Sequence, residues 1–280
     1  MTEVPQAPDR TGVPTCYRHP GRETHVRCVR CDRYICPDCM VEASVGFQCP
    51  ECVRDGNKGV RQAEGQFGGA PVARPYVTYV LIGINLLVFL GQLRNGTSTK
   101  QIAQFGLNGQ AVADGEWYRI ITSMFVHDGP PHILFNMWAL YSLGQPLETA
   151  LGRVRFGALY FLSGLGGSAM VYLLAADTFT VGASGAIYGL FGAFFVLARR
   201  LNLSMGPLVF LIILNLGITF LGANISWQGH IGGLVTGFLL GLAYVYAPRA
   251  RRIAVQVGAS VAVLVVVLAV IAVQTASLTS

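Results

Sequence analysis

Eight residues in the amino-terminal fifth of the chain have the types and spacing of metal ligands. They form four pairs, Cys16-x-x-His19, Cys28-x-x-Cys31, Cys36-x-x-Cys39 and Cys49-x-x-Cys52, and use all 7 cysteines of the 280-residue sequence. Thiolate and imidazole in two-ligand knuckles are the donor set of tetrahedral zinc, and eight donors suffice for two ions. The short gap from Cys31 to Cys36 disfavours closing a site from neighbouring knuckles. It favours a cross-brace, with Cys16, His19, Cys36 and Cys39 on one zinc and Cys28, Cys31, Cys49 and Cys52 on the other. His25 lies outside every knuckle and reads as a surface residue. A disulfide framework is the alternative, and it belongs to an oxidising compartment.

A second constellation is spread through apolar sequence. The acidic residues beyond the linker, Asp114, Glu116, Asp128, Glu148 and Asp177, all fall in loops or at the ends of apolar runs. That excludes a pair of buried catalytic carboxylates and disfavours a carboxylate-driven proton-coupled transporter. No His-Glu-x-x-His occurs, no cysteine follows Cys52, and Lys100 is the only lysine after Lys58. Zincin, cysteine and Ser–Lys chemistries therefore lack their residues. What remains is Ser184, in Gly182-Ala183-Ser184-Gly185, and His230. Ser184 stands fifteen residues before Arg199, roughly 22 Å of helix, and His230 eighteen before Pro248, roughly 27 Å. Both therefore reach the outer third of a hydrocarbon layer about 30 Å thick. Neutral imidazole is the only base at that depth able to take a serine proton. Neither apolar run carries a carboxylate, so the pair would act as a dyad. His132 and Asn136, at i and i+4, share a helix face and supply donors for an oxyanion.

These residues must be held by elements that live in lipid. Hydrophobic residues make up 52% of the chain and charged residues 12%, against about 25% charged in a soluble domain. Mean hydropathy is +0.50. Seven runs approach the length of a membrane span: 76–93, 131–147, 156–175, 181–198, 205–221, 227–246 and 253–276. Gly233, Gly237 and Gly241, four apart, allow a close helix neighbour. Arginines concentrate in alternate loops, at 153 and 155, 199 and 200, and 249, 251 and 252. The positive-inside rule then predicts a cytoplasmic amino terminus and an extracytoplasmic carboxyl terminus. The polar stretch 1–15, with three prolines and no apolar core, predicts no signal peptide. The net charge of +6 is the loop arginines on this reading, not a nucleic-acid surface. Residues 94–130 mix charges with Trp117, Tyr118, Ile120 and Ile121, the pattern of an amphipathic insertion at the interface.

The motifs together resemble a known family. Gly182-x-Ser184-Gly185-x-x-Tyr188, His230-x-x-Gly233-x-x-x-Gly237 and His132-Ile133-Leu134-Phe135-Asn136 are similar to the three signatures of rhomboid intramembrane serine proteases. Glu116-Trp117-Tyr118-Arg119 resembles that family's Trp-Arg motif, with Tyr118 where tryptophan is usual. The knuckles resemble a B-box-type zinc finger with cysteines in the last pair. The resemblance implies an all-α polytopic fold: a rhomboid-like six-helix bundle plus one C-terminal transmembrane helix, preceded by a small zinc-binding domain. The expected divisions are a disordered tail (1–15), the two-zinc finger (16–52), a flexible linker (53–75), the protease core (76–248) and a seventh helix with its tail (249–280). It implies Ser184 as nucleophile and His230 as general base. His132, Asn136 and the Ser184 amide, beside Gly182, would hold the oxyanion, and Tyr188 would steady the His230 ring. The expected function is cleavage of transmembrane or juxtamembrane segments of other membrane proteins in the plasma membrane. The finger would dock or regulate through a cytoplasmic protein, and nucleic acid is not an expected partner. A helix-binding pseudoprotease and a channel or transporter with a zinc sensor are the rivals. Zinc transport through His127, His132 and His230 is a variant of the second.

Overall fold

A computed structural model describes residues 12–58, 64–94, 98–204 and 226–280, with 206, 210, 213 and 217 singly. The chain divides into two compact units, Met1–Gln62 and Ala63–Ser280.

The first unit is too small to bury a conventional core. It holds two antiparallel ribbons, β1 (Thr15–Cys16) with β2 (His19–Glu23) and β3 (Val41–Glu42) with β4 (Phe47–Gln48). A 3-10 turn at Pro37–Cys39 follows β2, and α1 (Pro50–Lys58) closes the unit. Its buried centre is Ile35 with Cys16, Cys28, Cys36, Cys39 and Cys49. The sulfurs occupy the place that aliphatic side chains fill elsewhere. α1 runs to Lys58, into the stretch 53–75 expected as a linker.

Among the described residues the regular elements of the second unit are helices: α2 (Tyr76–Arg94), α3 (Ser98–Phe105), α4 (Gly109–Ala113), α5 (Arg119–Thr122), α6 (Pro130–Leu151), α7 (Arg153–Leu174), α8 (Ser184–Arg200), α9 (Trp227–Tyr246) and α10 (Arg252–Thr279). Among the described residues α2, α7, α9 and the helix over Arg249–Thr279 are long and apolar enough to cross a membrane. The expected span at 205–221 lies outside the described residues. α8 is the central helix. Eleven of its residues are buried, and it packs between α6, α7 and α9. The α8–α9 contact is backbone on backbone: a Cβ at Gly241 would stand 2.8 Å from Ala193 Cα, and one at Gly237 would fall inside the Gly189 backbone. Only residues without a side chain permit that approach.

Two polar devices fix the bundle. Glu148, at the end of α6, is 0% exposed and accepts from the Val77 and Thr78 amides (3.0 and 2.8 Å) and the Thr78 hydroxyl (2.8 Å). A carboxylate from one helix thus satisfies the first-turn N–H groups of another. Gln256 of α10, 3% exposed, donates to the carbonyls of Phe67 and Tyr244 and accepts from Arg155 Nε.

The insertion at 98–122 forms three short helices. Trp117 and Ile121 are exposed, whereas Leu107, Val112 and Ile120 are buried against α7 and α10. Arg119 is buried, donates to the Ala103 and Gly106 carbonyls (2.7 and 2.9 Å) and pairs with Glu116. Tyr118, the departure from the Trp-Arg motif, still bonds the Gln104 carbonyl through its hydroxyl. Leu107 and Thr180 exchange two backbone hydrogen bonds at 2.9 Å, which ties the insertion to the segment before α8.

Candidate active site and metal centres

Ser184 opens α8, and the chain reaches it through Gly182, whose φ of +115 favours glycine. The Gly182 amide donates to the Ser123 carbonyl (2.9 Å), so the insertion sets the turn that presents the serine. As first residue of its helix, Ser184 offers a backbone N–H with no intrahelical partner. Ser226 caps α9 by accepting from Gly229 N (3.4 Å), and His230 follows in the first turn. The two side chains meet, with Ser184 Oγ 2.8 Å from His230 Nε2. The Tyr188 ring, one turn along α8, lies 4.0 Å from the His230 ring at 11°, a stacked pair.

His132 and Asn136 arrive from the start of α6, where Pro130 and Pro131 open the helix after Gly129 (φ +86). The Asp128 amide donates to His132 Nδ1 (3.2 Å), which places the ring proton on Nε2. That nitrogen faces Gly182: a Cβ there would stand 2.7 Å from His132 Nε2 and 3.7 Å from Asn136 Nδ2. Asn136 also donates to its own helix at the His132 carbonyl (3.0 Å). Ser184, His230 and Tyr188 thus form one contacting group and Gly182, His132 and Asn136 another, joined along the chain through Ala183.

Two supports were not anticipated. Gln92, in α2, donates to the His127 carbonyl and accepts its amide, both at 3.0 Å. A glutamine in an apolar helix was the available signal. Ser123 acts through its carbonyl, for which a sequence carries no mark.

The eight ligand candidates of the first unit gather as two sets, Cys16–His19–Cys36–Cys39 and Cys28–Cys31–Cys49–Cys52, the cross-braced grouping. Cys31 and Cys49 sulfurs are 3.7 Å apart, and His19 Nδ1 lies 3.2 and 3.4 Å from the Cys36 and Cys39 sulfurs. A tetrahedron with Zn–S bonds of about 2.3 Å has edges of about 3.8 Å, whereas a disulfide is about 2.05 Å. The spacing fits a bound metal ion and not S–S bonds. Burial pushes the Cys16 and Cys28 thiols up, but backbone amides aimed at their sulfurs prevail and bring both to about 6. Burial, with hydrogen bonds and neighbouring thiolate charge, pushes Cys39 up to about 11. That is charge a divalent cation cancels. Arg33 reinforces the second site, donating to the Cys31 sulfur (3.2 Å) and pairing with Glu51 (2.6 Å).

A bundle of apolar helices enclosing a serine, a histidine and amide donors defines a polytopic membrane protein with a hydrolase-like site. The Rhomboid domain family profile matches residues 114–247, from the insertion through α9. The chain is 37% identical to Rhomboid protease GluP of Bacillus subtilis over 173 residues, 59% of this chain and 34% of that protein. It is 37% identical to YdcA of the same organism over 135 residues, 46% and 68% of the two chains. With RHOMBOID-like protein 5 of Arabidopsis thaliana it shares 34% identity over 164 residues, 55% of this chain and 53% of the other. It therefore spans a third of GluP and about half of the plant protein. The chain belongs to the rhomboid family. Its fold is the rhomboid helical bundle with a small Cys/His metal-site domain ahead of it.

Proposed function

We propose that this protein is an intramembrane serine endopeptidase that cleaves transmembrane or juxtamembrane segments of other membrane proteins. The observation that carries the reading is the 2.8 Å Ser184 Oγ–His230 Nε2 contact under the stacked Tyr188 ring. His230 Nε2 takes the serine proton as Oγ attacks the scissile carbonyl, and the tetrahedral oxyanion forms beside Gly182. His132 Nε2–H, Asn136 Nδ2–H and the Ser184 amide stabilise it. The imidazolium returns its proton to the leaving amine, and His230 then activates water to release the acyl group. Neither span carries a carboxylate, so Tyr188 stacking does the orienting that an aspartate does in a triad.

The first unit holds two structural zinc ions on the sets named above. Bound zinc supplies cross-links in place of a hydrophobic core and no catalysis. The arginines that end α8 and precede α10 support a cytoplasmic amino terminus, an extracytoplasmic carboxyl terminus and a plasma-membrane setting. The finger then docks or regulates from the cytoplasm.

The test is cleavage of a fluorescent single-span reporter in liposomes by the wild type, Ser184→Ala and His230→Ala, with fluorophosphonate labelling alongside. Activity and labelling lost in Ser184→Ala, and activity lost in His230→Ala, are expected. Undiminished cleavage by Ser184→Ala would sink the assignment.

A further inference from the structure

The end of the bundle where α7 and α10 begin carries a second built site. Residues 65–69 form a tight turn closed by Gly65 N to Gly69 O (2.8 Å) and Gly68 N to Gly65 O (2.9 Å), with Phe67 buried as its anchor. Gly68 and Gly69 both have left-handed φ, +90 and +85. The Arg155 guanidinium and the side-chain stem of Arg252 converge on this turn. A Cβ at Gly68 would stand 2.8 Å from Arg252 Cδ and 2.9 Å from Arg155 Nη2, and one at Gly69 would stand 2.6 Å from Arg155 Nη1.

Arg155 is aimed there. Gln256 Oε1 takes its Nε at 2.6 Å while the Gln256 amide nitrogen is fixed by the Phe67 and Tyr244 carbonyls. The two Nη groups are left over the turn. Among the described residues no carboxylate lies within ion-pair distance of Arg155, and Arg252 has only Glu64, at 3.9 Å with a side chain 67% exposed. Glu148 is occupied at α2. The other arginines of the helix ends here, Arg153 (4.0 Å from Glu148), Arg199, Arg200, Arg249 and Arg251, are exposed, whereas Arg155 and Arg252 are half-buried. A half-buried guanidinium without a carboxylate, beside a second half-buried arginine and over the Gly68–Gly69 pair, calls for an anion. The guanidinium fork matches phosphate oxygens. α7 and α10 are both spans, so their first turns stand at headgroup depth.

We propose that the Gly68–Gly69 turn with Arg155 and Arg252 binds a phosphate group, carried by an anionic phospholipid or free in solution. The full-length protein in detergent is titrated calorimetrically with dioctanoyl phosphatidylglycerol, dioctanoylglycerol and inorganic phosphate. Saturable binding of the first and none of the second is expected. The Arg155→Gln and Arg252→Gln variants should each weaken it about tenfold, whereas Arg199→Gln leaves it unchanged. Competition by inorganic phosphate identifies the phosphate alone as the ligand, and binding that phosphate does not displace identifies the lipid. Because Arg155 also braces Gln256, Arg252→Gln, with Arg155→Lys as the charge-retaining control, separates lost binding from lost folding. Equal affinity in Arg252→Gln, equal loss in Arg199→Gln, or no saturable binding by either phosphate probe overturns the proposal.

Discussion

The metal-site unit and the membrane bundle solve the same problem by opposite means. Neither can rely on burying large aliphatic side chains away from water. The first has too few residues, and the second has lipid, not water, outside it. In the first unit the centre is five cysteines around Ile35, so cohesion is concentrated in eight donor atoms. In the bundle cohesion is dispersed among glycine contacts between α8 and α9 and polar ties such as Glu148 to α2 and Gln256 to three elements. Concentrated cohesion fails all at once, whereas dispersed cohesion lets a site residue change without loss of the fold.

The largest effect that sharpens this contrast is metal removal. Structural zinc contributes on the order of 10 kcal/mol to small domains of this kind. A strong chelator should therefore abolish the amide dispersion of residues 12–58 in NMR spectra and leave the bundle's helical circular dichroism intact. Concerted loss of both would break the comparison.

Next comes the dyad. Ser184→Ala and His230→Ala should each lower reporter cleavage about 10³-fold or more while the thermal midpoint stays near that of the wild type. A large drop in midpoint would show the site to be part of what holds the bundle.

A smaller effect falls on the polar ties. Glu148→Ala leaves two α2 amides and the Thr78 hydroxyl without their acceptor, a cost of about 3 kcal/mol. Unfolding in mixed detergent should register it as a lowered midpoint. Gly237→Val drives a branched side chain into the Gly189 backbone and should cost about 1–3 kcal/mol. Activity should fall with it, since α8 and α9 carry Ser184 and His230.

The smallest effect is on pH. Hydrogen bonds from Arg119, then Tyr118, hold the Glu116 carboxyl below its ordinary 4.5. A depressed folded-state value stabilises above the unfolded pKa and loses that contribution as pH falls through the folded one. Acidification below the ordinary glutamate range should lower the wild-type midpoint slightly more than that of Glu116→Gln. Indistinguishable pH profiles would remove the Glu116–Arg119 pair from the ties that hold the insertion.

How much of this was legible in the residues depended on where the chemistry sits. Cysteine pairs, Ser184, His230 and the His132–Asn136 pair announce themselves by side-chain type and period, and the structure brings each set together. The rest is tertiary. Glu148 is readable as an acid at a helix end, but its partners are backbone amides seventy residues earlier. Gln256 looks like an ordinary polar residue until Arg155, Phe67 and Tyr244 meet it. The Ser123 carbonyl that holds Gly182 has no side-chain signature at all. Glycine and charge at 53–58 read as linker in the sequence, while Glu51 in the first turn and Lys58 in the last suit the dipole of the helix Pro50–Lys58.

The Leu107–Thr180 bridge has one more consequence. With Gly182 N on Ser123 O, it joins the middle and the far end of the surface insertion to the short segment before Ser184. The insertion leaves Trp117 and Ile121 exposed, apolar surfaces of the kind a bilayer interface takes up. Whatever load those side chains take is passed through backbone hydrogen bonds to the turn at Gly182.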